Sequence, residues 1–237
     1  MPDVFVRKLG HISELMDDDI ARLSELTSCT QIIKPHTVLI QEGESCRSAQ
    51  ILLSGFACCY KRLHDRGRQI VAYRVPGDAE GLHGGPARVA DYSLVTVTPC
   101  IGATIDRETI DDLIEHHPRI ARSFWQSVLD ERRLLCEWLM NVGQRPAPQR
   151  VAYLIHELFE RLETVDLTRG SSVELPLTQQ DLADTAGLSH VHVNRVLHSL
   201  KHSRMIDFNG RTIIIHDAAR LKRFADSCAS FPSRPAA

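Results

Sequence analysis

From about Gln31 to Ile105 the chain alternates short β-prone runs with turn residues. The runs are Thr37–Ile40, Gln50–Ser54, Phe56–Arg62, Gln69–Val75 and Leu94–Thr98. Glu42-Gly43-Glu44, Ser54-Gly55, Asp65-Arg66-Gly67 and Pro76-Gly77-Asp78 punctuate them. Many short strands at this spacing predict an antiparallel barrel or jelly roll. After Arg107 the period lengthens to that of a helix reaching about Val142. Phe124, Val128, Leu135, Leu139 and Val142 make one apolar stripe, and Trp125, Leu129, Cys136 and Met140 make a second beside it. A helix apolar over two adjacent faces must bury both. One is expected on the barrel and the other against the same helix of a second copy, with the first stripe named as the dimer positions. A single wide face inside a monomeric core is the alternative.

Gly143–Pro148 (GQRPAP) breaks the period and reads as a hinge or boundary. Beyond it Val151, Leu154, Ile155, Leu158, Phe159 and Leu162 form one apolar face, with Arg150, Glu157, Glu160 and Arg161 expected outside. Thr178–Leu200 then reads as a helix, a turn on Gly187 and a second helix, the pattern that lays its second helix in the DNA major groove. Thr178 is the expected cap of the first helix, with Asp181 at the capping-box position. Met205–His216 carries Asn209-Gly210 between two β-prone runs, which predicts a hairpin with a type I′ turn. A hairpin directly after the helix pair makes the unit a winged helix. The expected class is therefore α+β: a β-roll with N-terminal helices over residues 1–106, a long helix over 107–143 and a winged helix-turn-helix over 144–237.

At about 100° per residue, Val196, Leu197 and Leu200 fall within about 60° of Val193 and define the buried side of the second helix. Val191, Arg195, His198 and His202 lie opposite, with His190 and Asn194 along one edge and His192 along the other. Arg195 can pair with guanine O6 and N7. Val191, an outward apolar residue, suits a thymine methyl. Ser189 caps the helix and can donate to a phosphate. Thr178, Gln179 and Gln180, at the start of the first helix, complete the expected DNA surface. A plain helical hairpin with solvated histidines is the bland alternative.

Charge sharpens this picture. The net charge of −2 divides unevenly: residues 1–144 carry 16 Lys/Arg against 20 Asp/Glu, and residues 145–237 carry 12 against 10. From Thr185 to Ile206 there is no acidic residue, but there are Arg195, Lys201, Arg204 and four histidines, a local cationic patch of the kind phosphate contact requires. A length of 237 residues with 43% hydrophobic content is ordinary for one large or two modest domains. No apolar run reaches the ~20 residues of a membrane span, and Met1–Leu9 has no apolar signal region. Seven cysteines with no Cys-x-x-Cys pair give neither a disulfide framework nor a metal set. A reduced cytoplasm is expected, as is no enzymatic activity, because no nucleophile–base pair, metal set or phosphate loop appears at a usable spacing.

The order of these elements resembles the Crp/Fnr family of bacterial transcription regulators over nearly the full chain, most specifically at Val75-Pro76-Gly77-Asp78 and Leu177–Leu200. The resemblance implies a cyclic-nucleotide-binding-type β-roll, a dimer helix and a winged helix. It further implies a homodimer that reads a palindromic duplex through Ser189, His190, Val191, Asn194 and Arg195 and, if an activator, meets RNA polymerase. Many relatives carry glutamate at position 191, which accepts from cytosine N4; valine cannot, so the usual half-site is not implied.

The resemblance places an effector region at Gly81, Leu82, His83, Arg88, Tyr92 and Ser93. Cyclic nucleotide binders of the family hold the ribose with a Gly-Glu-Leu turn and the phosphate with an Arg-Ser/Thr-Ala turn. Here Gly81-Leu82-His83 lacks the carboxylate, Val89 supplies no hydroxyl and Asp91 opposes a phosphate beside Arg88, so cyclic AMP is not expected. His83 and Pro2 sit where the family's haem-binding sensors place axial ligands, but Gly81 replaces their cysteine. Only Cys29 precedes residue 45, which does not support an iron–sulfur cluster. Cys58 and Cys59 read as core residues rather than redox switches. The expected function is a dimeric, sequence-specific regulator whose effector is sensed by, or lost from, the roll. The alternatives are a ligand-binding module acting on a protein partner and a haem-dependent gas sensor.

Overall fold

The computed structural model describes residues 3–62, 67–83 and 88–227, with the side chain of Arg88 also outside the described set. Pro2, the Asp65-Arg66 part of one expected turn and Cys228 therefore lie outside the described residues. The chain divides into two compact units. One comprises Met1–Glu137 with Thr164–Asp166, the other Trp138–Glu163 with Leu167–Ala237.

The first unit opens with helices α1 (Val4–Ile12) and α2 (Asp17–Leu26). Strands β1 (Thr30–Ile33), β2 (Val38–Ile40), β3 (Ser45–Cys46), β4 (Ser48–Ser54) and β5 (Ala57–Arg62) follow. They are succeeded by β6 (Arg68–Arg74), β7 (Ala79–Glu80), β8 (Arg88–Val89), β9 (Ser93–Thr96) and β10 (Cys100–Asp106). Two antiparallel four-stranded sheets, ordered β1-β10-β4-β7 and β2-β9-β5-β6, make the expected roll, with β3 and β8 as a separate ribbon. Phe5 and Leu9 of α1 and Ala49 and Ile51 of β4 share a core with Ala103 and Ile105 of β10. A second core under the other sheet includes Cys59, Ala72 and Leu94. Cys58 and Cys59 are both fully buried, and burial pushes the Cys59 thiol up to about 12, the behaviour of inert core residues.

The expected helix over 107–143 is two helices, α3 (Arg107–His116) and α4 (Pro118–Gln144). The break is local chemistry. Pro118 disfavours helical torsions at the residue before it, and His117 sits at φ −121°, ψ 79°. α3 begins where the Asp106 carboxylate accepts from the Thr109 amide at 2.8 Å. On α4, Phe124 is only 2% exposed and joins the first core, so it is a core residue and not a seam residue as the stripe suggested. Val128 and Val142 are half-buried. Trp125, Leu129, Leu135, Leu139 and Met140 are exposed, so the open apolar face draws on both stripes.

The second unit contains the end of α4, then α5 (Ala147–Thr164), β11 (Thr168–Arg169), β12 (Ser172–Glu174), α6 (Gln179–Ala186), α7 (His190–His202), β13 (Ile206–Asn209), β14 (Thr212–Ile215) and α8 (Ala218–Asp226). The break at Gly143–Pro148 appears as the gap between α4 and α5, whereas the division between units falls earlier, at Glu137/Trp138. The apolar face of α5 is buried as expected. Glu157 is buried too, and it pairs with the largely buried Arg161 at 2.9 Å. Arg150 is half-buried, donating to the carbonyls of Arg145 and Ala186 at 2.7 and 3.1 Å. A helix-wheel reading puts these charges outside because it sees neither the burial of an i,i+4 pair nor an acceptor such as the Ala186 carbonyl from later in the chain. β11-β12-β14-β13 forms the wing sheet. Its hairpin differs from expectation by one residue. Asn209 pairs with Thr212, so Gly210 and Arg211 are the central residues and only Gly210 has positive φ, +62°. That is the requirement of a type II′ turn, not I′.

Candidate nucleic-acid interface and effector cleft

The helix pair is fixed by local chemistry at three points. The Thr178 hydroxyl accepts from the Asp181 amide at 3.1 Å while the Asp181 carboxylate accepts from the Thr178 amide at 2.8 Å, a complete capping box. Gly187 ends α6 in the left-handed region at φ 64°, ψ 40°, where a side chain at Cβ is strained. Ser189 then caps α7, its hydroxyl accepting from the His192 amide at 3.2 Å. Val193, Val196, Leu197 and Leu200 are all buried, each contributing about 1.5–3 kcal/mol by removal from water. This anchors the helix and leaves its other side turned out.

The outward side carries His190, Val191, His192, Arg195 and His198, all exposed. Arg195 has no hydrogen bond or ion pair among the described residues, unlike Lys201, which pairs with Asp207 at 2.7 Å. Lys201 belongs to the cationic patch expected from the sequence, but it is paired within the fold, and its ammonium lowers the Asp207 carboxyl. Asn194 is only half-exposed, and its amide donates to Gln179 Oε1 at 3.2 Å. Gln180 donates to Asp184 at 2.6 Å. The amides at the start of α6 are thus held by neighbours. Arg211, exposed at the wing tip, is a cation the sequence reading passed over, although a basic residue in the turn after the helix pair was signal enough.

In the first unit, a cleft of about 180 Å³ is lined by Gly81, Leu82, His83 and Tyr92, together with Glu80, Asp91, Ser127 and Glu131. Four of the six residues expected around an effector therefore line it. Ser93 does not: it is buried, its hydroxyl accepting from the Glu42 amide at 3.0 Å and from Gln41 Nε2 at 3.2 Å, and its role is to hold β9 against the preceding turn. Gly84 and Gly85 lie outside the described residues. Gly81 has φ +89°, and a Cβ there would sit 3.2 Å from the Ser48 carbonyl oxygen, so a side chain would press on β4.

Three of the lining residues, the expected Tyr92 and the unforeseen Glu80 and Glu131, meet an arginine outside the lining that the sequence did not point to. Arg74, on β6, has a side chain only 7% exposed and donates to Glu80 Oε2 through Nε at 3.2 Å and through its terminal nitrogen at 2.5 Å. That nitrogen also reaches the Tyr92 hydroxyl at 3.2 Å and the Glu131 carboxylate of α4 at 3.4 Å. The Tyr92 hydroxyl donates to Glu80 at 2.7 Å. Burial raises the Glu131 carboxyl above its ordinary range despite Arg74, with Glu80 adding to the rise. Burial likewise raises the Tyr92 phenol, against the pull of Arg74. The guanidinium of Arg74 is thus engaged by two carboxylates and a phenol. Among the described residues no cluster of three or more His, Cys, Asp or Glu is arranged to hold a metal ion.

Comparison with known proteins matches both halves. Residues 30–117 match the model of the cyclic nucleotide-binding domain and residues 149–224 that of the Crp-like helix-turn-helix domain. The transcriptional activator protein FnrL of Cereibacter sphaeroides is 24% identical over 208 residues, covering 86% of this chain and 83% of that protein. The transcriptional activatory protein AadR of Rhodopseudomonas palustris is 29% identical over 196 residues, covering 80% and 77%. Among solved structures, FixK2 from Bradyrhizobium japonicum superposes with a TM-score of 0.75 at 25% identity, covering 85% of this chain and 98% of that one.

Proposed function

We infer, from the premise that this chain belongs to the Crp/Fnr family of DNA-binding transcription regulators, that it acts as a homodimer on a palindromic duplex and catalyses no reaction. Regulators of this family bind DNA as dimers. The observation that carries the reading is Arg195, an exposed guanidinium without a partner among the described residues at the centre of the outward face of α7. Around it, Ser189, His190, Val191, His192 and His198 form the base- and phosphate-facing surface. Thr178, Gln179 and Gln180 contact the backbone, and Asn194, tied to Gln179, braces the two helices. The exposed apolar residues of α4, Leu129, Leu135, Leu139 and Met140 with Trp125, take the partner's α4.

For the effector, the reading is that the cleft takes no cyclic nucleotide, haem or iron–sulfur cluster. Leu82 occupies the position of the ribose carboxylate, Glu80, Asp91 and Glu131 disfavour a phosphate, and the Arg74–Glu131 pair joins β6 to α4 from within the protein. No helix among the described residues is long and apolar enough to cross a membrane. A place in the cytoplasm, with RNA polymerase as the further partner of an activator, fits a regulator of genes.

The test is binding of the full chain to promoter fragments across a salt series. Sequence-preferring binding that weakens steeply with salt is expected. Arg195→Ala is expected to lose about 1–3 kcal/mol of discrimination at one base pair. Unchanged affinity and preference in Arg195→Ala would sink the reading, leaving the module that acts on a protein partner.

A further inference from the structure

We propose that Val191 reads a thymine methyl group one or two base pairs from the guanine that Arg195 contacts, and that this pair of side chains sets the half-site. The proposal rests on the DNA-reading surface inferred above and goes beyond it by naming a base and the residue that selects it.

Val191 is 57% exposed. It is the exception on α7, whose other aliphatic residues, Val193, Val196, Leu197 and Leu200, are all buried. Its neighbours on the outward face are histidines and Arg195, so no apolar cluster within the fold accounts for it. A valine side chain has no hydrogen-bond donor or acceptor. In the major groove it cannot answer the acceptors of guanine, the mixed edge of adenine or the amino group of cytosine. The apolar feature there is the C5-methyl of thymine.

Position supports the same assignment. Val191 lies two residues after the Ser189 cap, in the first turn of α7, and the N-terminal residues of a recognition helix are those that meet base edges. Arg195 follows four residues later, about 6 Å along the axis and on the same face, a span of about two base-pair steps of ~3.4 Å. Asn194, between them in sequence, is half-buried and bonded to Gln179, so of the residues from 191 to 195 on the outward face, Val191 and Arg195 are the pair aligned one helical turn apart, with His190, His192 and His198 flanking them. Being exposed, Val191 can be changed without opening a cavity.

The experiment uses the full chain to enrich duplexes from a random pool, then replaces each thymine of the enriched site by uracil, which removes the methyl and nothing else. One thymine per half-site, within two base pairs of the enriched guanine, is expected to be sensitive. Its replacement weakens binding about fourfold, the equivalent of the ~0.8 kcal/mol of one buried methyl-sized group. Val191→Ala should lose that sensitivity, and Val191→Glu should enrich cytosine in its place, since a carboxylate accepts from cytosine N4. Equal binding to every uracil duplex, a uracil penalty that persists in Val191→Ala, or thymine retained by Val191→Glu would overturn the proposal while leaving a sequence-specific regulator. A wild-type protein that enriches no sequence would overturn both.

Discussion

Replacing Arg74 by methionine tests whether the first unit is held across its cleft by an internal ion network. Methionine keeps much of the apolar stem and deletes the guanidinium. Glu80, whose side chain is 16% exposed, then keeps the Tyr92 hydroxyl, at 2.7 Å, as its side-chain partner among the described residues. Removing one member of a buried pair leaves an uncompensated charge and costs about 3–5 kcal/mol. For a unit of this size, at about 2–4 °C per kcal/mol, the transition of the roll should fall by roughly 6–20 °C. Glu131→Gln should behave differently. Its side chain is 34% exposed and its contact with Arg74 is 3.4 Å, and the loss of hydration that raises its carboxyl works against the charged form, so a neutral amide there should stay within about 1 kcal/mol of wild type. Arg74→Met combined with Glu80→Gln should be less destabilised than Arg74→Met alone, because the stranded carboxylate is gone. Urea and thermal melts of the full chain, followed by circular dichroism and calorimetry, measure all four proteins. If Arg74→Met stays within 1 kcal/mol of wild type, or Glu131→Gln costs as much as Arg74→Met, the assignment of Arg74 as the centre of the network is wrong.

Two further outcomes follow from particular side chains. Leu139→Asp, at a position 76% exposed on α4, should shift sedimentation toward the monomer and weaken DNA binding without lowering the melting temperature of the isolated monomer; a wild-type dimer constant would show that this face is not the seam. The Asp19 carboxyl is held below its ordinary range: burial alone would raise it, but the hydrogen bond and charge of Arg119 and the Met16 amide outweigh that. Its contribution is therefore present above the unfolded value near pH 4 and lost as pH falls through the lower folded value, so Asp19→Asn should destabilise the protein at pH 6 and progressively less as pH falls below 4, measured by urea midpoints along the series; a loss that does not shrink with falling pH would show that ionisation is not the cause.

What the sequence disclosed and what it concealed divide along the range of the interactions involved. Thr178, Asp181, Gly187 and Ser189 act on backbone groups within three residues, so caps and turns were legible from spacing, and the apolar face of α7 followed from the helical period. The same local rule would have separated α3 from α4, since His117-Pro118 carries its own signal. The wing hairpin was found, but its turn type rested on strand register, and a shift of one residue moved the centre from Asn209-Gly210 to Gly210-Arg211. Ser93 and Arg150 were misplaced because partners come from distant parts of the chain, Gln41 and Glu42 for the one and Ala186 for the other; Glu157 was misplaced although its partner Arg161 is only four residues on, because helical period alone does not show which charged pair is buried.

The cleft is the extreme case of this. Arg74, Glu80, Tyr92 and Glu131 come from β6, β7, the residue before β9, and α4, at separations no period relates; Tyr92 was expected near an effector, but the other three are unremarkable alone. Reading the family position at Gly81-Leu82-His83 identified what a cyclic nucleotide would miss; it could not identify what occupies the same ground. The carboxylate one residue earlier, Glu80, points the argument the other way. The acid that the motif lacks at position 82 is present at position 80, bound to a buried arginine rather than left open for a ribose. A second acid from α4 meets the same guanidinium. The roll and α4 are therefore joined by groups the chain itself supplies, and a ligand acting here would have to displace Glu80 or Glu131 from Arg74 before making any contact with that guanidinium.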